Sequence, residues 1–194
     1  MPTHHVDIND FFQNFPNLEA GPYLIRELRI SDAEQYYNIF ADPNVAQYLS
    51  EEDVPGSIEE AEKEIRYWSS LFHRRSSIFW GIAHRDTDEL IGTIGFNNWS
   101  IASSRAEISY DLNSKYWRRG IMNAVLSRIL EFSYLEMGLY RIEARTMLHN
   151  AASSGLLLKN KFQKEGIERG YRKVRGQFID VMLFGLTAPD WMAR

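Results

Sequence analysis

Arg118, Arg119 and Gly120 stand together just ahead of an apolar-periodic segment. The first turn of a helix has unpaired N–H groups and the positive end of the helix dipole, so it suits an anion. Gly120 would let the backbone approach that anion closely, and the two arginines add positive charge. The stretch from Trp117 to Ala124 is therefore a candidate anion loop. Leu112 and Asn113 lead into it, and Ile121, Met122 and Asn123 offer main-chain N–H groups from the helical turn behind it. An ordinary solvated helix start has the same residues, so the loop alone does not name a ligand.

The elements on either side must position that loop. Before it, Ala106, Ile108, Tyr110 and Leu112 alternate with Glu107, Ser109 and Asp111, which reads as a strand. Behind it, Met122, Leu126, Ile129, Leu130, Ser133 and Met137 trace one face of a long helix that Gly138 would cap. Upstream, Tyr23–Arg29 reads as a strand. Ser31 with Glu34 forms a capping box that opens a helix over Ala33, Tyr36, Tyr37 and Phe40, and Asp42-Pro43 stops it. Ser57 with Glu60 opens a second helix, whose face is Ile58, Ala61, Ile65, Trp68 and Phe72. Ile78–Arg85 and Leu90–Trp99 are strands joined by Asp86-Thr87-Asp88-Glu89.

Downstream, Tyr140–Leu148 alternates as a strand, and Asn150 caps a short helix that runs to about Lys159. Arg169–Leu186 reads as two strands turning near Arg175-Gly176-Gln177. The order β-α-α-β-β-β-α-β-α-β-β predicts one mixed α/β domain over residues 23–187. Residues 1–22 form an N-terminal extension and residues 188–194 a C-terminal tail. Phe11, Phe12, Phe15 and Leu18 could pack that extension onto the domain, and a loosely docked tail fits them equally well.

The chain has 194 residues, a length that favours one domain. Its 22 basic and 26 acidic residues leave a net charge of −4, which argues against direct nucleic-acid binding. The absence of cysteine excludes disulfides, thiolate metal sites and a cysteine nucleophile, and fits a reducing compartment. No apolar run approaches the ~20 residues of a membrane span. The start, with His4, Asp7, Asn9 and Asp10, lacks the pattern of a secretory leader. A soluble cytoplasmic protein is expected. Histidines at 4, 5, 73, 84 and 149 show no metal-ligand spacing, so they read as structural or surface groups and no metal is expected. Trp68, Trp80 and Trp99 suit a core or an interface, and a homodimer is compatible with them.

The order of these segments resembles the GNAT superfamily of N-acyltransferases, and within it the RimJ/RimL type. Trp117-Arg118-Arg119-Gly120-Ile121-Met122 is similar to the family's Q/R-x-x-G-x-G/A loop. Ala106-Glu107-Ile108-Ser109-Tyr110-Asp111-Leu112 is similar to its A-E-I-G-Y-x-L strand. Asn150-Ala151-Ala152-Ser153 matches its N-x-x-S signature. Leu157 to Gly166 follows its L-x-K-x-G-F-x-x-E-G spacing, and Gly176 to Asp180 its G-x-x-x-D turn. Each motif is weak alone, and five in order over roughly residues 23–187 are specific. The chain departs from the pattern at Trp117, at Arg118 and Lys161 where glycine is common, and at Met122 where a small residue is common.

The resemblance implies a mostly antiparallel sheet with one splayed strand pair and helices on both faces, and acetyl-CoA as cosubstrate. It implies that the anion loop holds the cofactor's pyrophosphate through main-chain N–H groups. Asn150 would bond the pantetheine arm. Direct attack by an amine needs that amine neutral. For an α-amine near pKa 8 this costs ~1.4 kcal/mol at pH 7, and for a lysine ~4.6 kcal/mol. Glu107 is the candidate base on the acceptor side of the central strand, and a solvent-facing or arginine-paired glutamate is the plain alternative. Ser153 is the candidate acid for the leaving thiolate, with Tyr110 and Tyr140 as substitutes.

The RimJ/RimL resemblance implies a protein N-terminal α-amine as acceptor, such as that of a basic ribosomal protein. Glu51-Glu52-Asp53 could attract a cationic acceptor or could be a solvated loop. A small-molecule amine acetyltransferase and a non-catalytic acyl-CoA-binding module are the other readings.

Overall fold

The structure, a computed structural model, describes residues 11–193. His4, His5 and the N-terminal residues weighed above as a leader lie outside the described residues.

Eight strands form one open sheet among the described residues, in the order β1-β2-β3-β4-β5-β6-β8-β7. They are β1 (Leu18–Ala20), β2 (Tyr23–Glu27), β3 (Phe79–His84), β4 (Leu90–Ser100), β5 (Arg105–Leu112), β6 (Arg141–Met147), β7 (Gln163–Val174) and β8 (Gln177–Thr187). All neighbours are antiparallel except β5 and β6. Among the described residues six helices of four residues or more accompany them: α1 (Ala33–Phe40), α2 (Pro43–Ala46), α3 (Ile58–His73), α4 (Ile121–Leu135), α5 (Ala151–Lys159) and α6 (Ala188–Met192).

Strand alternation sorts the core into two layers. Trp80, Ile82, Ile94, Phe96 and Ile108 pack with α4 and α5, through Val125, Leu126, Ile129 and Leu157. Leu28 and Leu90 pack with α1 and α3, through Tyr36, Ile39, Phe40, Ala61 and Ile65. Helices therefore cover both faces, as a mixed sheet with two apolar surfaces requires.

The parallel pair is the irregular part. β5 and β6 pair only at Arg105↔Arg141, Ala106↔Ile142 and Glu107↔Glu143. Beyond Glu107 the strands part, and each stays paired on its outer side. β4 follows β5 to Leu112, and β8 follows β6 to Met147. The expected splay is thus present.

Several details differ from the sequence reading. Residues 11–22, whose sequence fits packing and loose docking equally well, pack on the sheet. Leu18–Ala20 adds an edge strand to β2, and Phe12 is buried in an aromatic cluster with Phe11, Phe72 and Trp99. The expected C-terminal tail begins with α6, which buries Trp191 against Tyr134. Asp32, rather than Ser31, secures the start of α1. Its carboxylate accepts from the Arg29 N–H at 2.8 Å and takes a bidentate contact from Arg26 at 2.8 and 2.9 Å. Burying that carboxylate requires such partners. β7 starts at Gln163, six residues earlier than its pattern suggests, because both its faces are largely exposed and give no alternation.

Phe12→Ala should lower stability by ~3 kcal/mol in urea denaturation, as for a buried phenylalanine. A loss below ~0.5 kcal/mol would mean that this segment merely rests on the surface.

Candidate active site

The anion loop is built by three local devices. Asn113 Oδ1 accepts from the Lys115 N–H at 3.0 Å, which turns the chain off β5 into a 3-10 turn over Ser114–Tyr116. The Trp117 indole N–H then donates back to the Leu112 carbonyl at 2.7 Å and closes the loop. Gly120 follows with φ of 76°, in the left-handed region, as the residue before α4. A Cβ there would meet nothing within 4 Å, so the glycine serves the backbone angle rather than clearance.

The first bond of α4 runs from the Ala124 N–H to the Gly120 carbonyl. The N–H groups of Ile121, Met122 and Asn123 precede it and point out of the helix end, where an anion is favoured. Their side chains are engaged elsewhere. Ile121 and Met122 are buried in the core, and Asn123 Oδ1 accepts from Asn160 Nδ2 at 3.2 Å. The Arg119 guanidinium lies 5.4 Å from the centre of the Tyr116 ring. Arg118 adopts φ of 61° and Lys161 φ of 72°. Both sit where the GNAT pattern has glycine, and the left-handed backbone explains that preference.

A cleft of about 490 Å³ passes through the β5–β6 opening. One wall carries Tyr110 and Ser153, whose hydroxyl oxygens are 2.8 Å apart. Ser153 is placed by the start of α5, where Asn150 Oδ1 accepts from the Ser153 N–H at 3.0 Å. That cap uses only the carbonyl oxygen of the Asn150 amide. Burial raises the Tyr110 phenol above its ordinary pKa, so it serves as a neutral hydroxyl.

The opposite wall is acidic. Glu107 and Asp111 come from β5, Glu52 and Asp53 from the 3-10 turn before α3, and Glu64 from α3. Tyr36 donates to Glu64 at 3.0 Å and accepts from the Trp68 indole at 3.2 Å. Lys63, Arg145 and Arg172 are the cationic residues of the lining. Glu107 has the arginine partner weighed above: Arg145 Nη1 is 3.0 Å from its Oε2. Of the expected residues, the cleft brings together Glu107, Asn150 and Ser153, whereas Arg118 to Asn123 lie outside its lining.

Asp111 was not among the expected site residues. Burial pushes its carboxyl up to about 7, Asp53 adds to that, and Arg172 opposes it. The signal was present in the sequence. Glu107, Ser109 and Asp111 put three polar residues on one side of a central strand, where a buried sheet would carry apolar ones.

Residues 23–163 match the family model described as Acetyltransferase (GNAT) domain. The chain belongs to the GNAT acetyltransferase family. It is an N-acetyltransferase with acetyl-CoA as cosubstrate. The uncharacterized N-acetyltransferase YoaA of Bacillus subtilis (strain 168) is 37% identical over 175 residues, which cover 90% of this chain and 98% of YoaA. The [ribosomal protein uS5]-alanine N-acetyltransferase of Escherichia coli (strain K12) is 34% identical over 122 residues, 62% of this chain and 63% of that protein. Mycobacterium smegmatis RimJ, solved in complex with CoA-disulfide, superposes with a TM-score of 0.80 at 22% identity, covering 91% of this chain and 88% of RimJ. Among the described residues no helix is long and apolar enough to cross a membrane.

Gly120→Val should weaken acetyl-CoA binding more than about tenfold by calorimetry, because a β-branched residue is strained at that angle. Arg119→Ala should weaken it less than about threefold. The opposite ranking would show that arginine charge, not the backbone, holds the anion.

Proposed function

We propose that this chain acetylates a protein N-terminal α-amine, of the kind borne by ribosomal proteins, in the cytoplasm. The observation that carries this reading is the single cleft that joins the β5–β6 opening to an acidic wall. The N–H groups of Ile121 to Asn123 would take the pyrophosphate. The free edge of β5 beyond Glu107 would pair with pantetheine, and the Asn150 NH₂ would bond that arm.

The acceptor enters from the acidic wall as an ammonium ion. An α-amine is the easier substrate, because its neutral form costs ~1.4 kcal/mol at pH 7 against ~4.6 kcal/mol for lysine. Once neutral, its nitrogen attacks the thioester carbonyl carbon directly. The C–N bond forms, the C–S bond breaks, and the thiolate takes a proton from the Ser153–Tyr110 pair. The uS5-alanine N-acetyltransferase similarity supports a ribosomal α-amine over a small amine.

Peptides with free N-termini, polyamines and amino-acid amines, each given with acetyl-CoA and scored by thiol release and product mass, test the acceptor. Acetylation of peptide α-amines is expected, and turnover confined to small amines would overturn that choice. Ser153→Ala should lower kcat on the order of 100-fold with little change in acetyl-CoA binding.

A further inference from the structure

We propose that Asp111, rather than Glu107, takes the proton from the acceptor amine, and that Glu107 is a positioning residue that holds Arg145 across the mouth of the cleft. This rests on the acetyl-transfer reading above. Both carboxylates are on the same side of β5, four residues apart, and both line the cleft. Their surroundings separate them.

Glu107 is already occupied. Its Oε2 accepts from Asn98 Nδ2 at 3.1 Å and faces Arg145 Nη1 at 3.0 Å. Asn98 reaches it from an irregularity in β4, where its φ of 49° interrupts the pairing with β5. Arg145 is fixed in turn by Glu168, at 2.7 and 3.1 Å, and by the Tyr171 ring 4.8 Å from its guanidinium carbon. This network spans β4, β5, β6 and β7. A proton placed on Glu107 Oε2 would break it.

Asp111 is placed differently. Its carboxylate accepts no hydrogen bond and forms no ion pair among the described residues, although it lies half-buried in the wall of the cleft. Thr93 is its partner across β4. Tyr36 of α1, Glu64 and Lys63 of α3, Asp53 before α3, Arg145 of β6 and Arg172 of β7 line the same cleft. Tyr36 and Glu64 are bonded to each other. The pKa near 7 that burial and Asp53 impose, against Arg172, matches a base working near neutrality.

The protons balance. The Asp111 carboxylate accepts one proton from the ammonium and returns it to solvent after turnover. The nitrogen loses its second proton as the amide forms, and this offsets the one that Ser153–Tyr110 gives to sulfur. Asp111 must be ionised to act, so kcat rises with pH through about 7 and then levels. The sign for stability is the reverse. A carboxyl whose pKa is raised by folding favours the folded state at low pH, and that contribution is lost as pH rises through the folded value.

The test compares wild type, Asp111→Asn, Asp111→Glu and Glu107→Gln at saturating acetyl-CoA with the acceptor varied up to saturation, over a pH series and with acceptors of different amine pKa. In the wild type the pH limb should stay near 7 whichever acceptor is used. Asp111→Asn should lose at least about 100-fold in kcat and lose the limb. Asp111→Glu should recover part of the rate. Glu107→Gln should raise KM for the acceptor, keep the limb, and lose less than about tenfold in kcat. Folding is checked by thermal shift: acetyl-CoA should still stabilise Asp111→Asn, whose Tm should exceed wild type at about pH 8 and match it at about pH 4. An Asp111→Asn protein with kcat within about threefold of wild type, or with the limb intact, overturns the assignment. So does loss of the limb in Glu107→Gln. Wild type that releases no thiol with any amine overturns the transferase reading itself, a different result from an active wild type matched by Asp111→Asn.

Discussion

Three backbone pairs between β5 and β6 determine the use of this molecule. Backbone N–H and C=O groups inside a protein need partners. Two adjacent strands that stop pairing after Glu107 leave groups that something else must satisfy. The opening persists because each strand is held from outside, β5 by β4 and β6 by β8 over its whole length. The sheet therefore stays rigid on both sides of a gap in its middle. On the reading proposed above, an extended, amide-bearing cofactor arm would meet that gap on the same terms as a strand would. On the same reading, the helix end that follows β5 would receive the charged end of the same molecule.

Two contacts frame the gap and divide its chemistry. At the paired end, Arg145 binds Glu107, Glu143 and Glu168 and joins three strands. Farther along, the Ser153–Tyr110 contact joins α5 to β5. Between them lies a strand face that carries two carboxylates of different character. One is neutralised by a cation, and the other is left in the cleft with acidic company. Two identical functional groups separated by environment are how a single site can hold charge in one place and move a proton in another.

The departures from the family pattern find physical explanations in the backbone. Arg118 and Lys161 both adopt left-handed angles, so the glycines usual at those positions relieve backbone strain there. Met122 replaces a small residue without crowding the start of α4, because its side chain is buried in the core while its N–H remains at the helix end.

Periodicity alone made the long elements legible. The faces Ala61–Ile65–Phe72 and Met122–Leu126–Ile129 are buried as their spacing requires, and the order of motifs was enough to suggest the family. Short or two-sided pieces were not legible. A three-residue edge strand at Leu18, the helix at Ala188 and the exposed first half of β7 carry too few alternating positions to announce themselves. The sequence by itself determined which residue types face the two sides of β5, because a strand alternates whatever surrounds it. Only the tertiary structure decided which carboxylate on that side is bound to arginine. Arg145 lies 38 positions from Glu107 and 34 from Asp111, and it reaches Glu107 because β5 and β6 are still paired there. Asp111 lies where they have parted, and among the described residues its carboxylate forms no ion pair, feeling Arg172 only across the cleft.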